Sequence, residues 1–170
     1  NEINTIEAFE TSDETKMRSC FKEAGVPSPE FTKIHRNKIC EILSKEFVEK
    51  LNYPMVAKPS DNMGARGCRM VRNKSELIYS VEEAVKNSRT STCILEDYME
   101  GPEYSIDALV YDGTMTITGF ADRHIFFPPY FIETGHTMPS VISREKYLSL
   151  VKTFADGVNA LGLTRGAAKA

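Results

Sequence analysis

Residues 53–70 read Tyr-Pro-Met-Val-Ala-Lys-Pro-Ser-Asp-Asn-Met-Gly-Ala-Arg-Gly-Cys-Arg-Met, and no other stretch constrains the chain as tightly. An apolar run ends in Lys58, a polar loop with two glycines follows, and a second apolar stretch resumes at Cys68. The pattern predicts a hairpin, with strands at 54–58 and 68–72 around the glycine loop. A strand gives the Lys58 ammonium a fixed reach toward a ligand. Gly64 and Gly67 allow positive φ, which brings backbone N–H groups close to an anion. Arg66 adds a planar, permanently charged donor set suited to phosphate oxygens. Such a loop can close over a polyphosphate. The same residues can also make a plain polar surface hairpin, and the segment alone leaves both readings open.

The remaining pattern places this hairpin in a larger order. Thr11-x-x-Glu14 is a capping box, after which Met17, Cys20, Phe21 and Ala24 share a helical face that ends at Gly25-Val-Pro27. A strand is expected around 31–34, then one helix over 36–51 with Ile39, Leu43, Phe47 and Leu51 inward. Asn73-x-x-Glu76 opens a helix through about Asn87 that buries Leu77, Val81, Ala84 and Val85. Residues 92–98 form a strand, and 103–111 and 114–122 flank Asp112-Gly113, a two-residue hairpin signal. The aromatic and proline-rich 124–140 is expected to be irregular. Ser143 caps a long helix on which Leu148, Val151, Ala155, Val158 and Leu161 share a face. An apolar strand then starts near Gly166 with nothing after it to pair with, which suggests an expression fragment. The fold class is α+β, antiparallel sheets with packed helices.

Composition excludes several roles. The chain has 170 residues, about one domain. Net charge −3 argues against a general nucleic-acid or membrane-surface function. No apolar run approaches the roughly 20 residues of a membrane span, and the start shows no secretory signal. Cys20, Cys40, Cys68 and Cys93 lie too far apart for a metal site or a disulfide scaffold, so reduced, buried thiols in a cytoplasmic protein are expected. His35, His124 and His136 have no partner at i+4, and no metal ligand is assigned.

A nucleotide also needs groups for its base and ribose. In Ile94-Leu-Glu-Asp-Tyr-Met-Glu-Gly-Pro-Glu-Tyr-Ser-Ile-Asp107, Glu96 ends a strand where a carboxylate can accept from an exocyclic amine. The backbone of Asp97, Tyr98 and Met99 can pair with an adenine edge, and Glu103, past the turn, can accept two ribose hydroxyls. Tyr98 and Met99 can stack on the base or belong to the core. Idle, solvated acidic residues at strand ends are the competing reading. Arg123 is either a phosphate or carboxylate contact or a strand-end charge. Phe126–Phe131 either lines a pocket or packs against further protein.

Five motifs then fall in one order: Asp13-Glu-Thr-Lys16 with Ala24-Gly-Val-Pro27, Tyr53-Pro-Met-Val-Ala-Lys58-Pro, Gly64-Ala-Arg-Gly67, Leu95-Glu96-Asp-Tyr-Met, and Gly101-Pro-Glu103-Tyr-Ser. With them the chain resembles an ATP-grasp domain over most of its length. Pro129-Tyr-Phe-Ile-Glu133-Thr-Gly-His136-Thr-Met-Pro-Ser140 resembles the carboxylate–amine ligases. That subgroup includes L-amino-acid ligases and domains related to carbamoyl-phosphate synthase or phosphoribosylglycinamide synthetase.

The resemblance implies a partial ATP-grasp fold with ATP and Mg²⁺ as cofactors. Residues 1–52 would be its helical, linking part, 53–99 the small lid subdomain, and 100–170 the start of the larger subdomain. Lys16 and Lys58 would contact phosphates, with Met63, Gly64, Ala65, Arg66 and Gly67 folding over them. Glu96, Asp97, Tyr98 and Met99 would hold adenine and Glu103 the ribose. Arg123, Glu133 and His136 would face the reacting substrates, a small carboxylate and an amine joined through an acyl phosphate. Nucleic acid and membrane are not implied as partners, and a homo-oligomer is compatible. Two departures stand out. The family's metal carboxylates are expected beyond Ala170, and Lys169 stands where many relatives have histidine. The domain that usually precedes Lys16 is also missing, so the isolated chain is expected to bind ATP weakly and not to turn over. A biotin-carboxylase-like enzyme and a degenerate nucleotide-binding module remain open.

Overall fold

The computed structural model describes residues 13–170, and the expected cap Thr11 lies outside the described residues. In chain order the elements are α1 (Glu14–Glu23), β1 (Phe31–His35), a 3-10 turn (Arg36–Lys38), α2 (Ile39–Ile42), α3 (Lys45–Glu49), β2 (Met55–Pro59) and β3 (Arg69–Val71). They continue as α4 (Lys74–Asn87), β4 (Thr92–Asp97), β5 (Glu103–Tyr111), β6 (Thr114–Phe126), β7 (Ile132–Thr137), α5 (Arg144–Ala160) and β8 (Arg165–Lys169). They form two compact units. One comprises Pro29–Glu100 and Phe126–Ile132; the other comprises the described residues through Ser28, Gly101–Ile125 and Glu133–Ala170.

The first unit is built on an antiparallel sheet of order β1-β4-β2-β3. Strand alternation sends Met55, Ala57, Val71, Cys93 and Leu95 to one face, where Leu77, Val81, Ala84 and Val85 of α4 complete a core. Each fully buried Val or Leu there contributes about 2 kcal/mol. Asn73 starts α4 as expected, its Oδ1 accepting from the Ser75 and Glu76 N–H groups. Asn73→Ala is therefore expected to cost about 1 kcal/mol, read as a lower urea midpoint at unchanged slope. The single helix expected over 36–51 is broken. Ser44 is extended (ψ 156°) and its hydroxyl accepts from the Phe47 N–H, so it restarts the helix as an N-cap. The inward residues still pack as expected: Ile39, Leu43, Phe47 and Leu51 lie against the core. Here burial, more than helix continuity, set the pattern.

The second unit holds the antiparallel sheet β7-β6-β5-β8. Asp112 and Gly113 both take positive φ (47° and 74°), which matches the twist of the strands they join. Tyr104 and Phe120 stack at 5.7 Å, and Phe120 meets Tyr147 of α5 at 4.9 Å, which seats that helix on one face of the sheet. α1 packs on α5, where a Cβ at Gly157 would stand 3.3 Å from the Phe21 ring. Residues 124–140 are more regular than expected. β6 runs on to Phe126 and β7 returns beside it, and the Thr134 hydroxyl donates to the His124 carbonyl at 3.1 Å. The prolines at 128 and 129 sit in the turn and leave both strands intact. β8 finds its partner backwards in the chain, pairing with β5 from Tyr111↔Arg165 to Asp107↔Lys169.

Among the described residues no disulfide joins the cysteines. Cys93 is buried, and burial pushes its thiol up to about 12; Cys40, expected to be buried, is exposed. No described helix is long and apolar enough to cross a membrane.

Candidate functional site

The face of the β1–β4 sheet opposite α4 carries Val56, Lys58, Ile94 and Glu96. Val56 faces Glu96 and Lys58 faces Ile94 across the ladder, so Lys58 and Glu96 are diagonal neighbours on one side. Their Nζ and Oε1 atoms meet at 2.7 Å, with the side chains only 17% and 9% exposed. The two residues read separately from sequence as a phosphate contact and a base contact are thus one ion pair. Sheltered from water, its field is stronger than that of a surface pair.

The loop from β2 to β3 takes the left-handed conformation at Gly64 (φ 72°), Ala65 (56°) and Gly67 (78°). Met63 to Arg66 are exposed, Arg66 Nε donates to the Met63 carbonyl at 3.4 Å, and Cys68 N–H to that of Ala65 at 3.0 Å. Positive φ at the two glycines was legible in the sequence. At Ala65 it was not, because alanine carries no signal for a conformation that costs it about 1 kcal/mol. The glycines differ in surroundings: a Cβ on Gly64 would meet nothing, whereas one on Gly67 would sit 2.8 Å from Asn87 Cβ and 2.9 Å from Pro59 Cγ.

Beyond β4 the backbone is partly committed. Asp97 N–H donates to the Glu30 carbonyl at 3.0 Å and Tyr98 N–H to that of Pro54 at 3.3 Å. Among the described residues no acceptor takes the Met99 N–H. Of the three residues expected to face a base edge, Met99 therefore offers the available donor. Tyr98 is half-buried against Phe131, ring centroids 6.2 Å apart, and Met99 is exposed.

The β5–β8 unit gathers a separate polar cluster. Arg123 stands opposite Glu103 in the ladder, Nη1 to Oε2 3.4 Å, and donates from Nε and Nη2 to Glu133 Oε2 at 3.0 and 2.7 Å. His136 Nε2 lies 3.5 Å from the other Glu133 oxygen. The hydrogen bond from Arg123 holds the Glu133 carboxyl below its ordinary value against a small burial penalty, aided by the charges of Arg123, His136 and Lys169. Lys169 pairs with Asp107 at 3.4 Å. Asp107 was missed from sequence, where it is one more alternating strand residue; only the register opposite Gly119 and Lys169 distinguishes it. Lys16 lies on the first turn of α1 in this same unit. The other histidines have local work, His35 Nδ1 accepting from Asn37 N–H and His124 Nε2 bonding Thr137 Oγ1 at 2.8 Å.

A lowered Glu133 contributes stability at pH values above the ordinary 4.5 and loses it as pH falls through the folded value. Glu133→Gln should therefore flatten the acid limb of urea midpoints measured from pH 6 to 3, by less than about 1 kcal/mol because solvent screens the pair. An unchanged acid limb would contradict that network.

Among the described residues no group of three or more His, Cys, Asp or Glu side chains could hold a metal ion.

A family model for the ATP-grasp domain matches residues 51–170. Among solved structures, the L-amino acid ligase from Bacillus licheniformis matches at 24% identity with a TM-score of 0.81, over 99% of this chain and 38% of that one. The VanG D-Ala:D-Ser ligase from Enterococcus faecalis matches at 21% and 0.83, over 98% and 49%. The D-alanine–D-alanine ligase from Bacillus anthracis, complexed with ATP, matches at 19% and 0.73, over 98% and 51%. The chain thus spans about half or less of the length of these structures, and at these identities the likeness is one of fold.

Proposed function

This chain belongs to the ATP-grasp family, and from that premise we propose that it is the nucleotide-holding part of a ligase that joins a carboxylate to an amine. The observation that carries the reading is the Lys58–Glu96 pair at 2.7 Å, set on one strand face beside a loop with three left-handed residues. Lys58 meets phosphate charge, with Glu96 fixing where its ammonium stands. Loop amides and Arg66 cover the phosphates and exclude water, which would otherwise hydrolyse a reactive intermediate. The Met99 N–H takes a ring nitrogen of the base.

In the reaction a carboxylate oxygen of the substrate attacks the γ-phosphorus, the bond to the β,γ-bridging oxygen breaks, and ADP leaves. The amine nitrogen then attacks the acyl carbon, phosphate departs, and the nitrogen loses a proton. No protein nucleophile takes part. Glu133, kept ionised beside Arg123, suits the ammonium or carboxylate ends of the substrates through that pair, with His136 next to it.

The decisive measurement is ADP release by the intact protein, screened over pairs of amino acids and small carboxylates. Release that needs both a carboxylate and an amine supports the ligase. ATP binding with no release for any pair would leave a nucleotide-binding module, the reading to which the Asp107-paired Lys169 belongs.

A further inference from the structure

The β2–β3 loop leaves its sheet through consecutive residues that all fasten to the turn after α4. Ser60 N–H donates to the Thr92 carbonyl at 3.1 Å, and the Ser60 hydroxyl lies 3.4 Å from that of Thr90. The Asp61 carboxylate accepts from two successive amides, Arg89 N–H at 3.0 Å on one oxygen and Thr90 N–H at 2.8 Å on the other. Asn62 Nδ2 donates to the Asn87 carbonyl at 2.9 Å. On the return leg Gly67 sits hard against Asn87 and Pro59. Between these anchors Met63 to Arg66 are exposed.

Asp61 gains nothing from α4 itself, since a carboxylate just past a helix C-terminus faces the negative end of the macrodipole. Burial pushes its carboxyl up, yet hydrogen bonds from Ser88, Thr90 and Arg89 outweigh burial and hold it below the ordinary value. What its two bonds do accomplish is to tie the stem of the loop to a turn closed by its own hydrogen bonds, Ser91 N–H to the Ser88 carbonyl and Thr92 N–H to the Ser88 hydroxyl. Charge-assisted bonds to paired amides are also the strongest among these anchors.

We propose that Asp61 is a positioning residue of the phosphate lid: by gripping the Arg89 and Thr90 amides it fixes the stem, so that closure over ATP moves only the tip, Met63 to Arg66. This rests on the ATP reading of the loop. A stem already ordered leaves less freedom to be lost when nucleotide binds, and affinity rises accordingly.

Asp61→Asn keeps the side-chain shape but turns one acceptor oxygen into an NH₂ donor facing an N–H. In the intact protein without nucleotide, amide hydrogen exchange at Arg89, Thr90 and residues 62–68 should accelerate roughly tenfold or more while the rest of the sheet holds. The KM for ATP should rise roughly tenfold, with kcat at saturating ATP and the KM of the other substrates within about twofold of wild type. Asp61→Glu, which keeps the charge on a longer arm, should fall between, and it serves if the asparagine variant does not fold. Unchanged exchange in both variants, or faster exchange with an unchanged KM for ATP, overturns the proposal. Should the wild-type protein not bind ATP at all, the ATP reading falls separately, and with it the lid role, while the exchange data still decide whether Asp61 holds the stem.

Discussion

Lys58→Met is expected to lower folding stability by about 3 kcal/mol and to slow ATP-dependent turnover of the intact protein by roughly a hundredfold or more. The two losses have different origins. Glu96 is 6% exposed, and without the ammonium at 2.7 Å its carboxylate keeps the desolvation cost but loses the compensating charge. The catalytic loss follows from the proposed role of Lys58, a positive charge set against the phosphates of ATP. A second substitution separates them. Lys58→Met combined with Glu96→Leu removes both charges and should regain most of the stability, since apolar groups of similar size often replace a buried pair at little cost. It should not regain turnover. Chemical denaturation and ADP release on the same preparations provide the check. A double variant that stays as unstable as the single one would mean that the strand face, and not the ion pair, is what the mutation disturbs.

Gly67→Ala is expected to cost about 3 kcal/mol, the sum of a left-handed alanine and an overpacked contact. Gly64→Ala should cost only about 1 kcal/mol, the conformational part alone. The difference comes from what stands around each glycine, since their φ values, 72° and 78°, are nearly the same. At Gly67 the obstacles are Asn87 Cβ and Pro59 Cγ, on a helix end and in a strand, and neither can swing away. Urea midpoints of the two variants decide it. Equal destabilisation would show that the return leg yields more readily than its packing suggests.

The legible parts of the fold were those with a local cause. Asn73, Ser143 and Asp112-Gly113 announce their helix starts and turn through chemistry confined to a few neighbours, and each appears where it was expected. The apolar faces of α4 and of residues 39–51 were also readable, because spacing alone decides which side chains can reach a core. What stayed hidden depends on partners distant in sequence. β7 is a strand because β6 lies beside it, and β8, whose start near Gly166 was legible, has its hidden partner in β5, more than fifty residues earlier. The break at Ser44 lost to the helical period on either side of it. The polar residues behave the same way. Lys58 and Glu96 each carried a signal, but their meeting depends on a register that only the paired strands define. Asp61 looked like ordinary loop polarity until the turn at 87–92 was seen to receive it.

The segment Phe126–Ile132 lies in the chain between β6 and β7 yet belongs with the β1–β4 sheet. There the Pro129 carbonyl accepts from the Met70 N–H at 2.8 Å, and Tyr130 and Tyr79 flank the Arg69 guanidinium with ring centroids 5.5 and 5.2 Å away. For anyone building chimaeras, this unit is therefore not a cassette that can be cut out at two points. A transplant of residues 29–100 into a relative would bring β3 without the strap that satisfies its outer edge, and the host's own 126–132 equivalent would have to fit Arg69 in its place. Four junctions are needed, two for each of the segments 29–100 and 126–132.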